Sequence, residues 1–296
     1  MNYLISDIEN GIKVSGLRDF CPEHIFECGQ AFRWERTEEG SYIAVAKDKV
    51  AEFLMKDGEL YVFNATKEDF EEVWHDYFNL DTDYQEIKDN LKKTLAYSKN
   101  DSLKEAIEFG NGLRILNQDH FEMIISFIIS ANNQIPRIKK SVELLSQTYG
   151  DFIGVYKGKK YHRFPSPAQL AYQDPEEVKE ITRVGFRHTR IVEAARSYLE
   201  ENDKFENVSL EELKNNLIAL PGVGPKVMDC ILLFGYGIED TFPVDVWVKR
   251  LMETLYLDQP IPNKKILEEA GILFGDYKGH AQQYLFYYAR ENAIGK

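Results

Sequence analysis

The segment LEELKNNLIALPGVGPKVMDCILLFGYG, residues 210–237, decides how the chain folds. Ser209 and Glu212 have the spacing of a capping box ahead of an apolar-periodic run, Pro221 stops that helix, and Gly222 and Gly224 supply a tight turn. Pro225 then takes the first position of a second helix, where its fixed φ suits the geometry and its missing N–H costs nothing. Two helices around a hairpin turn result, about Leu210–Ala219 and Lys226–Phe234. The second presents free backbone amides at its start, a natural seat for a phosphate. A contact of that kind holds a nucleic-acid backbone without reading sequence. On these residues alone, a tight connector between packed helices is the more ordinary reading of PGVG.

Outward from the hairpin, the chain after Gly110-Asn111-Gly112 reads as a succession of helices. Asp119 and Glu122 form a capping-box variant that opens FEMIISFIISA, apolar on nearly every face and therefore expected at the centre of a core. Ser166-Pro167 opens another helix, and further ones are expected at about Thr189–Glu201, Val246–Leu255 and His280–Glu291. Before the break the text is different. From Ala31 to Phe63, AFRW, SYIAVA, AEFLM and LYVF alternate with turn-prone EEG, KDK and KDG, the pattern of an antiparallel sheet. KEDFEEVWHDYFNL then places Phe70, Val73, Trp74 and Phe78 on one helical face. The fold class is α+β: an antiparallel β-sheet lobe with helices over 1–114, followed by an all-α domain over 115–296.

At 296 residues the chain can bury more than one core. Its three cysteines, Cys21, Cys28 and Cys230, give neither a disulfide framework nor a four-cysteine cluster and fit a reducing cytoplasm. Nothing resembles a signal peptide, and no stretch reaches membrane-spanning length. The net charge of −13 argues against a nucleic-acid partner. The acidity is uneven, however: 14 Lys and Arg stand against 24 Asp and Glu before residue 115, and 22 against 25 after it. A balanced second part can still focus cations along one groove.

Lys226 follows the hairpin by one residue, and Asp245 in FPVDVWV precedes another helix. A lysine amine can attack a sugar carbon and form a Schiff base, provided burial or a cationic neighbourhood lets it shed its proton. A cation at a helix N-terminus is otherwise the wrong charge for that position. Asp245 can cap the helix beginning at Val246 and can also stabilise positive charge on a sugar. With CGQAFRW (28–34), ISFIISANNQIPRI (125–138), VGFRHTRI (184–191), LPGVGPKVMDC (220–230), FPVDVWV (242–248) and HAQQYLF (280–286) in this order, the chain resembles the 8-oxoguanine DNA glycosylase/AP lyases of the helix-hairpin-helix superfamily. The resemblance spans nearly the whole chain, although the first lobe, apart from CGQAFRW, matches only in its β-rich pattern.

The resemblance implies that Lys226 and Asp245 are the catalytic pair, that Phe286 and Cys230 sandwich a flipped base, and that Gln282 reads its Watson–Crick edge. It implies that the carbonyl of Gly29 accepts the N7 hydrogen peculiar to the oxidised guanine. Asn132, Arg137, Phe186 and Arg187 would fill the vacated position, wedge the helix and hold the orphaned cytosine. Gly222, Val223, Gly224 and Trp247 would hold the DNA backbone. The partner would be double-stranded DNA containing 8-oxoguanine, bound by a monomer without cofactor or metal. Read singly, Gly29 is a turn, Phe286 a core residue, and Arg137 and Arg187 phosphate contacts or a solvated helix face.

Phe186 replaces the family's usual Tyr, Gln134 a usual Asn, and Trp247 a usual His, which leaves an indole N–H in place of a cation. Three other readings remain. An alkylated-base glycosylase shares the architecture but usually lacks the hairpin lysine and the CGQ and AQ elements. A non-catalytic hairpin module needs no Lys226 and Asp245 together. A metal-dependent nuclease would need ligand spacing that the histidines and carboxylates do not show.

Overall fold

The computed structural model describes residues 3–257 and 259–294. Six antiparallel strands form one sheet in the order β1-β2-β6-β5-β4-β3: β1 Leu4–Ile8, β2 Gly11–Ser15, β3 Trp34–Arg36, β4 Tyr42–Ala46, β5 Lys49–Lys56 and β6 Glu59–Phe63. Asp57 and Gly58, with φ of 53° and 78°, make the paired left-handed turn that suits the twist between β5 and β6. The expected AFRW strand moves to Trp34–Arg36, because Ala31–Arg33 is a buried loop tied to the helical lobe through Gln118 Nε2, which donates to the Gln30 carbonyl at 3.0 Å. In the Lys67–Tyr77 helical run, Phe70–Trp74 forms a widened turn, and Phe70, Val73, Trp74 and Phe78 are all buried against the sheet. Phe53 meets Trp74 and Phe78 edge-on, with ring centroids 4.8 and 5.0 Å apart.

Apolar side chains gather in three main cores. The first lies under the sheet. The second surrounds the His120–Ser130 helix, in which every residue from Phe121 to Ile129 except Glu122 is buried, and takes in both hairpin helices. Asp119 caps that helix through the Glu122 amide at 2.8 Å, but the Glu122 side chain turns to Arg33, 3.3 Å away, so only half of the capping box forms. The third core joins residues 84–113 to the helices after Phe242. Arg114 sits at its junction with the sheet, fully buried, donating to the carbonyls of Phe78, Asp19, Asn79 and Thr82.

A second hairpin, β7 Phe152–Tyr156 with β8 Lys159–His162, projects from the helical lobe onto the sheet. There the buried Glu52 accepts from Tyr156 Oη at 2.5 Å and from Lys157 Nζ at 2.8 Å, while Glu35 accepts from Tyr161 Oη at 2.5 Å and Lys159 Nζ at 3.1 Å. None of the described helices is long and apolar enough to cross a membrane.

Candidate active site

The hairpin forms as its residues require. Ser209 Oγ and the Glu212 carboxylate close a capping box over Leu210–Ala219, and Gly224 caps Pro225–Phe234. Gly222 has φ +90°, and a Cβ there would meet Arg190 Cδ at 3.1 Å and Ile128 Cγ2 at 3.2 Å, so both conformation and space call for glycine. Val223 anchors the turn in the core, whereas a side chain at Gly224 would face open space.

Lys226, in the first turn of the second helix, is half-buried, with Nζ 5.6 Å from the centroid of the Phe127 ring. Asp245 lies one loop further on. Its Oδ1 accepts from the Val248 amide at 2.7 Å and caps the Val246–Met252 helix, which ends three residues sooner than expected and passes into a widened turn over Glu253–Leu257. Lys226 and Asp245 line one narrow slot with Cys28, Gly29, Phe127, Cys230, Gln282, Gln283 and Phe286. Burial pushes the Cys230 thiol up to about 11, although the Lys226 amine beside it pulls the other way.

Two further segments line the slot. Gln282 and Phe286 are one turn apart on the Lys278–Glu291 helix, and Gln282 is buried with an Oε1 that has no partner among the described residues. A buried amide acceptor left unmade is costly, and a ligand with N–H groups relieves it. Gly29 adopts φ +83° directly after the Pro22–Glu27 helix, with a hypothetical Cβ only 3.2 Å from Phe286 Cε1. The slot holds about 50 Å³, room for a few waters but not for a purine.

A second group adjoins the hairpin through Arg190, which lies against Gly222. Phe186 stands in the three-residue turn Gly185–Arg187, 57% exposed, with the Arg187 guanidinium 4.3 Å and that of Arg190 5.8 Å from its ring centroid. Asn132 is exposed at φ +52°, and Arg137 is exposed in the first turn of Ile135–Tyr149. Arg187 differs from its neighbours: it is buried and donates to the carbonyls of Ala131, Val184 and Asn132. Trp247 is half-buried near the start of its helix, beside the exposed Val246. Sequence reasoning missed Phe127, Gln283 and Arg190. Phe127 lies within an all-apolar run that gives no hint which face meets the lysine, and Gln283 carries no signal beyond its adjacency to Gln282.

Residues 125–273 match the HhH-GPD superfamily of base excision DNA repair proteins, and residues 14–124 match the N-terminal domain of 8-oxoguanine DNA glycosylase. The chain belongs to the HhH-GPD superfamily. Within it, the chain is a member of the 8-oxoguanine DNA glycosylase/lyase family. The structure of the Clostridium acetobutylicum 8-oxoguanine glycosylase/lyase with double-stranded DNA containing cytosine opposite 8-oxoguanine is 39% identical, with a TM-score of 0.91, over 99% of this chain and 100% of that one. MBOgg1 in complex with a low-affinity DNA ligand is 43% identical, with a TM-score of 0.92, over 99% and 100%. A probable N-glycosylase/DNA lyase of Methanothermobacter thermautotrophicus is 30% identical over 71% of this chain and 73% of that protein.

Proposed function

We propose that this protein excises 8-oxoguanine opposite cytosine from duplex DNA and then cleaves the strand at the same site, as a bifunctional glycosylase and lyase of base excision repair. The observation that carries the reading is the convergence on one slot of an amine, a carboxylate and an unpartnered amide acceptor, all beside a glycine turn. The amine of Lys226 attacks C1′ of the flipped nucleotide, and the base departs with the bonding electrons and acquires a proton. Asp245 offsets the positive charge that grows on the sugar as that bond lengthens. The C1′–O4′ bond then opens, with O4′ taking up the proton that the amine sheds, and the amine becomes a Schiff base, which acidifies C2′. Loss of a proton there expels the 3′ phosphate by β-elimination, and water then hydrolyses the imine to free Lys226.

In the same reading Phe286 and Cys230 face the two sides of the base, Gln282 accepts from its Watson–Crick N–H groups, and the Gly29 carbonyl accepts from N7–H. Because the slot is smaller than a purine, the Phe286 ring swings away from Gly29 to admit the base. Phe186 wedges the duplex, with Asn132, Arg137 and Arg187 toward the vacated position and the orphaned cytosine. For Arg187 this means leaving the carbonyls that hold it in the free protein. Gly222, Val223, Gly224 and Trp247 hold the DNA backbone. Nucleophile and counter-charge both belong to the chain, so a monomer acts without cofactor. The free cysteines fit a cytoplasmic setting. An alkylated-base specificity has no use for an N7–H acceptor at Gly29 or for the Lys226 nucleophile.

Borohydride trapping on a duplex with a single 8-oxoguanine opposite cytosine tests this directly. A covalent adduct is expected with the native chain and none with Lys226→Gln. Base release that persists in the variant without an adduct would make water the nucleophile. Absence of both adduct and release in the native chain would point to another lesion or to a binding module.

A further inference from the structure

Gly29 is useful as a reader only if its carbonyl points where the base arrives, yet a glycine between two turns is the least constrained kind of residue. Its neighbours remove that freedom. On the preceding side, the carbonyl of Cys28 accepts from Nε2 of Gln283, 2.8 Å away and 1% exposed. On the following side, Gln30 is fully buried. Its Nε2 donates to the carbonyls of Ile25 at 2.9 Å and Arg114 at 2.7 Å, and its Oε1 accepts from the Leu116 amide at 2.9 Å. The Gln30 carbonyl in turn accepts from Gln118 at 3.0 Å. Among the described residues nothing donates to the carbonyl of Gly29 itself. The result is one free acceptor between two tethered peptides.

Gln283 is the informative member, because its backbone neighbour is Gln282. One residue of the Lys278–Glu291 helix faces the slot with an unpartnered acceptor, and the next fixes the peptide beside Gly29. We propose that Gln283 is a positioning residue for lesion recognition: it sets the Gly29 carbonyl in register with Gln282, so that N7 and the Watson–Crick edge of one base are read together from a common helix. The inference rests on the assignment of 8-oxoguanine as substrate. Although Gln283 borders the slot, its Nε2 is committed to the Cys28 carbonyl, so it acts through the backbone rather than on the Schiff-base step.

Gln283→Met keeps length and volume but removes the donor, and a misplacement of about 1 Å at a reading group costs on the order of 100-fold. Single-turnover excision of 8-oxoguanine by Gln283→Met is expected to fall roughly 10- to 100-fold, while lyase cleavage of a preformed abasic duplex, which has no base to read, stays within about twofold. Gln283→Leu, apolar and likewise without a donor, gives the same split and keeps the test alive should the methionine variant fail to fold. A parallel fall of both activities would make Gln283 merely structural and overturn the inference, as would unchanged excision. A native chain that cleaves abasic sites but never releases 8-oxoguanine would instead overturn the substrate assignment on which the inference rests.

Discussion

Asp245 holds two positions at once, and substitution separates them. Its carboxylate caps the Val246–Met252 helix through the 2.7 Å bond to the Val248 amide, and it lines the slot with Lys226. Asp245→Asn keeps a capping oxygen and loses the charge; Asp245→Ala loses both. Loss of the cap costs about 1 kcal/mol, and loss of the carboxylate at a helix N-terminus a further 0.3 to roughly 1 kcal/mol. At about 2–4 °C per kcal/mol for a chain of this size, Asp245→Ala should melt roughly 3–8 °C below the native protein, and Asp245→Asn no more than about 4 °C below it. Activity should not follow that order. Removing one charge-stabilising group from a water-poor site costs on the order of 100- to 1,000-fold, so both variants should lose 8-oxoguanine excision to a similar depth. Calorimetry beside single-turnover excision at 20 °C, well below either transition, makes the comparison. If Asp245→Asn excises at the native rate, or if activity follows melting temperature across the three proteins, the carboxylate acts only as a cap and the catalytic argument fails.

Gly29→Ala should destabilise the fold by about 1–3 kcal/mol in urea titration, since φ +83° suits no other residue well; its Cβ, 3.2 Å from Phe286, should also lower excision of 8-oxoguanine more than cleavage of abasic DNA. His280 is fully buried, and burial holds it down to about 4, so it folds neutral. Its stabilising contribution is complete above its ordinary value near 6.5 and is lost as pH falls toward 4. The loss is about 3 kcal/mol at 1.36 kcal/mol per pH unit, and His280→Leu should flatten that limb of the melting-temperature profile between pH 6.5 and 4.

What the sequence disclosed was mostly what neighbouring residues settle among themselves. Caps at Ser209, Ser166 and Asp245, the proline at 225 and the apolar run from Phe121 to Ile129 all act within one or two turns, and the structure agrees with each. β1 and β2 went unread: β1 is an edge strand with Leu4 largely exposed, and only Ile12 and Val14 alternate inward in β2. β7 and β8 are fixed by distant carboxylates, Glu35 and Glu52, which no local pattern announces. The same holds at the site. The pairing of Lys226 with Asp245 in one slot was foreseeable from spacing and resemblance, but the inward turn of Arg187 depends on carbonyls more than 50 residues away. The tether from Gln283 to Cys28 crosses 255 positions.

The slot draws its parts from separately packed bodies: Lys226, Cys230 and Phe127 belong with the core around the central helix, whereas Gln282, Phe286 and Asp245 are carried by the core that unites residues 84–113 with the C-terminal helices. The amine and the carboxylate therefore meet only where both cores are packed. A chain with either body melted, clipped or still emerging during synthesis carries an amine without its counter-charge, or a counter-charge without its amine. Strand scission thus requires both cores to be packed around the slot, so on heating the ability to cut should disappear no later than the helical signal.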